Sequence, residues 1–412
     1  MKVFLQQGGH EFANLGDLAM LRVTVGRFRE HFSGCDIAVL GTPYVDASRY
    51  VDHVSTIDVN CIPRLLGPGC LFGRHSQGLG SSDSLLVTRY PFLMHGVVLR
   101  HWIRGKPCAP LAKFIRTLMN ADIVACAGGG YLTDEFSFMV EWTAWLLLVA
   151  QRLGKRTALF GQGVGPLRNP RLRFLLGRVL RNVEVLGLRE PIYSPHIAEE
   201  LGVPRDKYVV TGDDAVELAY VAAKATMGRK LGVNLRRTKY AGTSQETENR
   251  VSRVISQITA ILQTETVVVP IGFDDRDHEV GARLGGRNHN CLDQLDVADA
   301  ICLASKCRVV ITGSYHAAVF ALGQGIPAVC VVASEYYRQK FNGLAALFNS
   351  GCIVVEANSM VFQTELLNSV VSVWNRAEEL RPQLLLAAKA QIENSRSVYR
   401  EFAQKRSPKK FA

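Results

Sequence analysis

Apolar β runs alternate with helical patterns along most of this 412-residue chain, and the runs end in glycines or charged residues. Continuously apolar strands separated by helices predict an α/β protein whose parallel sheets are covered on both faces. The chain is too long for one compact core, and the pattern restarts after a break at about 221–229. Two Rossmann-like domains facing a cleft are expected, at 1–222 and 223–412, the second with a helical tail from about 364 to 404.

In order, "KVFLQQ" reads as a strand, "GGHEFANLGD" as a loop, and a helix follows from about Leu18 to His31. "CDIAVLG" is the next strand. Residues 60–110 break the alternation, first rich in Gly, Ser and Arg, then aromatic and basic around Arg100 and Arg104. A stretch this long suits a mobile lid, an acceptor-binding surface or a membrane-contacting helix. "ADIVACAGGG", "RTALFGQGVGPL", "VEVLGLRE" and "YVVTGDD" are further strands, with a long apolar helix up to Leu153 after the first. The second series has strands at "KLGVNLRR", "TVVVPIGF", "CRVVITGS" and "AVCVVAS" and a helix across 246–263. Ligands of open parallel sheets sit beyond the carboxyl ends of the strands, so the loops there are the place to seek function.

An apolar fraction of 48% with 21% charged residues is that of an ordinary globular protein. The net charge of +11 comes without a nucleic-acid motif or a basic amphipathic helix. No nucleic-acid partner is therefore expected, and polyanionic substrates, an anionic membrane surface or solubility remain as its meaning. Ten cysteines are scattered without a CxxC pair, as buried free thiols of a reducing compartment would be. The chain opens on a predicted strand, "MKVFLQQ", so no signal peptide is expected. Its longest apolar stretch is interrupted by Glu141 and Gln151, so it reads as a core helix and not a membrane span. A cytoplasmic location is expected, with the inner membrane face compatible.

The strand ends supply the candidates. In "GGHEFANLGDLAM", Asn14 and Asp17 belong either to a turn capped by Asp17 or to a backbone loop approached by a substrate. In "AGGGYLTDEF", Gly129 and Gly130 let a ligand come close to the backbone ahead of a helix start. Asp134 there either favours the helix N-terminus or handles an acceptor hydroxyl. Gln162 is a hydrogen-bonding side chain at a Gly-rich junction, and Arg189 stands just beyond a strand. Asp213 and Asp214 read as capping or interdomain residues. Of Arg236 and Arg237, one faces the cleft, where a guanidinium suits phosphate or carboxylate. The run Asp274, Asp275, Asp277, His278 lacks a metal-ligand spacing and reads as an acidic helix start, so no metal is expected. Lys340, near Tyr336 and Tyr337, can reach an anion. Finally, "TGSYHAAV" sets Ser314 as a helix cap, then Tyr315, then His316, at a helix N-terminus that attracts anions and places an imidazole for proton transfer.

Taken together, "NLGDLAM", "GGGYLTDEF", "GQGVGP", "LREPIYSPHIAEELGV", "VTGDDA", "GVNLRRT" and "TGSYHAAVFALGQGIPAV" with "YYRQKF" resemble the polysaccharide pyruvyl transferase family, in the family's order over most of residues 1–350. The resemblance implies a fold like that of GT-B glycosyltransferases and transfer of a pyruvyl group from phosphoenolpyruvate to a sugar as a ketal. It implies that His316 is catalytic, with Asp134 matching the acidic residue after the triple glycine. Arg189 matches the arginine engaging the anionic donor, helped by Arg236, Ser314, Tyr315 and Lys340. Asn14, Asp17, Gly129, Gly130 and Gln162 are left to the acceptor, a saccharide or lipid-linked glycan. Many members carry arginine two residues before this histidine, where Ser314 stands here, so Arg189, Arg236 or Lys340 would take over its anion. The chemistry needs no metal or redox cofactor. The alternative is a GT-B glycosyltransferase with a nucleotide-sugar donor.

Overall fold

The computed structural model describes residues 1–60, 96, 103, 109–272, 280, 283–284 and 295–405. Most of the expected 60–110 insertion, with Arg100 and Arg104, and the run from Asp274 to His278 lie outside the described residues.

Two parallel sheets organise the molecule. The first is built from β1 (Lys2–Gln6), β2 (Asp36–Gly41), β3 (Val54–Asp58), β4 (Ile123–Cys126), β5 (Gly129–Leu132), β6 (Arg156–Val164), β7 (Val185–Leu188) and β8 (Tyr208–Val210). Its order is β3-β2-β1-β4-β6-β7-β8, with β5 against β6. The second holds β9 (Lys230–Asn234), β10 (Thr266–Val268), β11 (Cys307–Thr312), β12 (Ala328–Val332) and β13 (Cys352–Glu356). Its order is β10-β9-β11-β12-β13. Helices connect them: α1 (Leu15–His31), α2 (Ala109–Asn120), α3 (Ser137–Arg152), α4 (Pro170–Leu180), α5 (Tyr193–Glu200) and α6 (Val216–Val221) in the first half. In the second come α7 (Gln245–Leu262), α8 (Val297–Ala304), α9 (Tyr315–Gly323), α10 (Glu335–Phe348), α11 (Phe362–Asn375) and α12 (Ala377–Gln404). The strands are buried on both faces, which is why they read as unbroken apolar runs.

Three local expectations are corrected. Helix α1 starts at Leu15 because Asn14, not Asp17, is the cap: its Oδ1 accepts from Gly16 N at 2.9 Å and Asp17 N at 3.1 Å. Losing such a cap costs about 1 kcal/mol. Asp17 instead sits in the first turn, where its charge suits the helix dipole. The glycines after β4 do not lead directly into a helix; two of them open the short strand β5, "GGYL". Ser314 occupies the cap position of α9 without a side-chain capping bond, and its own N–H donates to Thr312 Oγ1 at 2.8 Å.

One apolar cluster runs through both sheets, and α9 lies inside it. All 9 residues of α9 are buried, so its small, apolar sequence has no polar face to show. The two halves also meet where Leu15 N donates to Ile271 O at 2.8 Å and Arg22 pairs with Asp296 at 2.7 Å. The last helix, α12, returns to the first sheet. Its Tyr399 ring stacks on Phe160 with centroids 3.9 Å apart, and the Tyr399 hydroxyl donates to Asp214 Oδ2 at 2.9 Å. Ser395 Oγ donates to Asp214 Oδ1 at 2.7 Å. Cys126, Cys307, Cys330 and Cys352 are buried free thiols, whereas Cys302 is exposed.

Candidate active site

A cavity of about 630 Å³ opens between the sheets, lined from the first by the loop after β1, by Gly130 and by Arg189, and from the second by Arg236, Ser314, His316 and Lys340. Its deep wall is organised around Asp213, which follows β8 and is fully buried. Asp213 Oδ2 lies 3.4 Å from Arg189 Nη1 and 3.7 Å from His316 Nε2, and Oδ1 accepts from Ala215 N at 2.9 Å. Burial opposes ionisation of this carboxyl, but the facing His316, the Arg189 guanidinium and the Ala215 N–H outweigh it and hold the carboxyl below its ordinary value. Nε2 of His316 is buried without a hydrogen bond, its separation from Asp213 being just too long for one.

Two glycine motifs exist to seat Arg189. A methyl carbon on Gly130 would come within 2.4 Å of its Nη2, and one on Gly163 within 2.7 Å. The other face of the guanidinium lies 4.3 Å from the Tyr315 ring centroid. Three separate sequence motifs thus form one packed unit around one cation. Gly16 plays the same part for His316: a Cβ there would fall 1.9 Å from the imidazole, so the first turn of α1 lies directly on the ring. Half-buried Lys340, one turn along α10 from Tyr336, donates to the Tyr336 hydroxyl at 2.8 Å, which donates to Gly130 O at 2.8 Å. Its amine lies 4.5 Å from the Tyr336 ring centroid and 5.2 Å from that of Tyr315. Desolvation and the neighbouring Arg189 push its pKa well below the usual lysine range, against the pull of Asp17 and Asp213. An arriving anion would relieve both penalties.

The outer wall is looser. Asn14 and Asp17 line it beside Gly8, Gly9, His10, Thr42 and Asn60. His10 was not a sequence candidate. Its Nε2 faces Gln6 Oε1 at 3.4 Å, and the same oxygen accepts from Trp142 Nε1 at 3.1 Å. Because Trp can only donate, that Gln6 atom is the oxygen, so His10 must carry its proton on Nε2 and keep a lone pair on Nδ1. Burial pushes the His10 pKa down to about 4. The remaining candidates divide. Arg236 lines the cleft with its guanidinium 5.9 Å from the Tyr240 ring centroid, while Arg237 turns to Glu248 at 3.9 Å. Asp134 is not part of the cavity lining: its carboxylate accepts from Arg168 N at 2.6 Å and Asn169 N at 3.2 Å, tying down the loop after β6. Gln162 is wholly buried and braces Tyr131 through a 3.2 Å bond to its hydroxyl, and Gly129 lies against the Tyr131 ring behind the cavity surface. Asp213 carried no sequence signal beyond "GDD", since its partners lie far along the chain. Among the described residues, no three His, Cys, Asp or Glu side chains group as a metal site, and no helix is long and apolar enough to cross a membrane.

The architecture is that of a GT-B-type protein: two parallel α/β sheets face each other across a site built from both. Solved structures share it at low identity. UDP-GlcNAc 2-epimerase from Neisseria meningitidis, bound to UDP-GlcNAc, gives a TM-score of 0.59 at 12% identity, covering 98% of this chain and 100% of that one. MnaA of S. aureus with UDP gives 0.54 at 13% identity, covering 100% of each chain. No curated protein matches the chain by sequence. A family model, polysaccharide pyruvyl transferase, matches residues 14–335, and the chain belongs to that family.

Proposed function

We propose that the chain transfers the pyruvyl group of phosphoenolpyruvate to two hydroxyls of a saccharide, forming a cyclic ketal, on a glycan or glycan precursor. The observation that carries this reading is the convergence of Arg189, Arg236, Lys340 and His316 on one wall of the cleft beside the N-terminus of α9, where basic groups suit the donor's carboxylate and phosphate. Arg189, Lys340 and Arg236 hold the donor's carboxylate and phosphate, in place of the arginine that Ser314 replaces. As C3 of the enol takes a proton, C2 becomes oxocarbenium-like. The first sugar hydroxyl forms the new C2–O bond and gives up its proton. The C2–O bond to phosphate breaks with its electron pair on the phosphate, and the second hydroxyl closes the ketal. The two hydroxyl protons thereby account for the one gained at C3 and the one carried off by phosphate. His316, poised against Asp213, moves the proton at phosphate departure. Asp134 is tied to the backbone of the neighbouring loop, so acceptor orientation passes to Asp17 and His10 on the outer wall.

A second reading, glycosyl transfer from a nucleotide sugar, is favoured by the solved structures that hold UDP-GlcNAc and UDP on the same fold. Thermal shift separates the two, because only a ligand of the folded state stabilises it. Phosphoenolpyruvate at 100 times its Kd should stabilise by about 2.7 kcal/mol. Stabilisation by UDP-sugars and none by phosphoenolpyruvate would overturn the first reading.

A further inference from the structure

Although no basic amphipathic helix is expected from composition, the segment "LRNPRLRFLLGRVLRN" forms one. Helix α4 buries Leu172, Leu176, Val179 and Leu180 against the first sheet's core. Its other side leaves Phe174 63% exposed, with Arg171 and Arg178 exposed beside it and Arg168 and Arg181 exposed at either end. The spacing of Arg171, Phe174, Arg178 and Arg181, three or four residues at each step, puts them on one stripe, and Arg168 lies just ahead of the helix. Arg173, off the stripe, is paired with Glu200 at 2.9 Å. Arg171 pairs with Glu141 at 3.2 Å, and Glu141 lies one turn of α3 beyond Phe138. Phe138 is 50% exposed and lines the cavity. The stripe therefore runs from the rim of the cleft down the outside of α4.

We propose that this stripe docks the protein on an anionic phospholipid surface, with the arginines on lipid phosphates and Phe174 in the interfacial layer beneath them. A guanidinium row meets the charge of the headgroups, and an exposed phenylalanine between arginines needs an apolar layer under the phosphates, which a lipid interface provides. A duplex nucleic acid offers the same phosphates with no such layer, so it would leave Phe174 in water. The docked face adjoins the cleft rim, which sets the cavity mouth beside the bilayer. The inference does not depend on the choice of donor.

Flotation with phosphatidylcholine vesicles, plain or with about 30% phosphatidylglycerol, at about 0.1 M and 0.5 M salt, tests it. The full chain should float with the anionic vesicles only and lose most of its binding at the higher salt. Arg178→Glu and Phe174→Ser should each weaken that binding, the charge reversal by about tenfold. Both sites are exposed, and unchanged thermal unfolding confirms that each variant is folded. If a variant is unfolded, Arg178→Gln is measured in its place. Equal flotation on plain vesicles, failure to float on anionic ones, or wild-type binding by both folded variants would overturn the proposal. So would tighter retention on double-stranded DNA than on anionic vesicles.

Discussion

The deep and outer walls of the cleft are built on opposite plans. On the deep wall, Arg189 is 2% exposed, stacked on Tyr315, seated on two glycines and paired with a carboxylate that stays ionised despite burial. The outer wall is a glycine-bearing loop with a single oriented histidine and a half-exposed Phe138 at its rim. The contrast teaches that this fold places its buried, charge-paired groups on one wall, which the proposed reading gives to the donor's anion, and leaves the loop wall to the acceptor. Preorganised charge in a water-poor wall is worth more to chemistry than the same charge on a flexible loop.

The largest test of that asymmetry is His316→Ala, which should lower turnover about a thousandfold in a phosphate-release assay while leaving the fold intact. Near-normal turnover would empty the deep wall of its chemistry. Gly16→Ala comes next. In most helices this change stabilises by roughly 0.5–1 kcal/mol, but here the added methyl displaces the imidazole. About a hundredfold loss of turnover is expected, consistent with a misplacement near 1 Å, and a crystal structure of the variant would show the ring moved. His10→Ala should act on the outer wall alone, raising the acceptor KM about tenfold as a lost hydrogen bond to bound substrate would. Calorimetry should find phosphoenolpyruvate affinity unchanged, and a matching loss of donor affinity would merge the two walls into one.

The test furthest from the chemistry concerns Asp214, which anchors α12 beneath the deep wall. Burial raises its pKa from 3.8 to about 6, against the hydrogen bonds from Ser395 and Tyr399. A folded-state value above the unfolded one means that its contribution is full below the unfolded pKa and is lost as pH rises through the folded one. Wild-type stability should therefore fall between about pH 4 and 6 through this group, by roughly 3 kcal/mol. Asp214→Asn should flatten that window in urea unfolding. An unaltered pH profile would show that the α12 anchor does not depend on this ionisation.

Much of this was legible along the chain. Apolar strands between helices revealed the parallel sheets, because burial on both faces leaves a one-dimensional trace. Glycines and charged residues at strand ends marked the region around Gly130, Arg189, Arg236 and His316, because the turn there is a local event. What stayed hidden depends on segments remote in sequence. Asp213 gains its meaning only when β8 and α9 bring it between Arg189 and His316. The backbone of Arg168 and Asn169 claims Asp134, and only Trp142, on a distant helix, determines which nitrogen of His10 carries the proton. The basic stripe on α4 shows once its other face is known to be buried. The sequence by itself determined which elements form and which strand ends carry polar groups, since hydrophobic period and turn chemistry are local. Only the tertiary structure decided which of those groups meet, because hydrogen bonds and ion pairs form between atoms a few ångströms apart, wherever in the chain they begin.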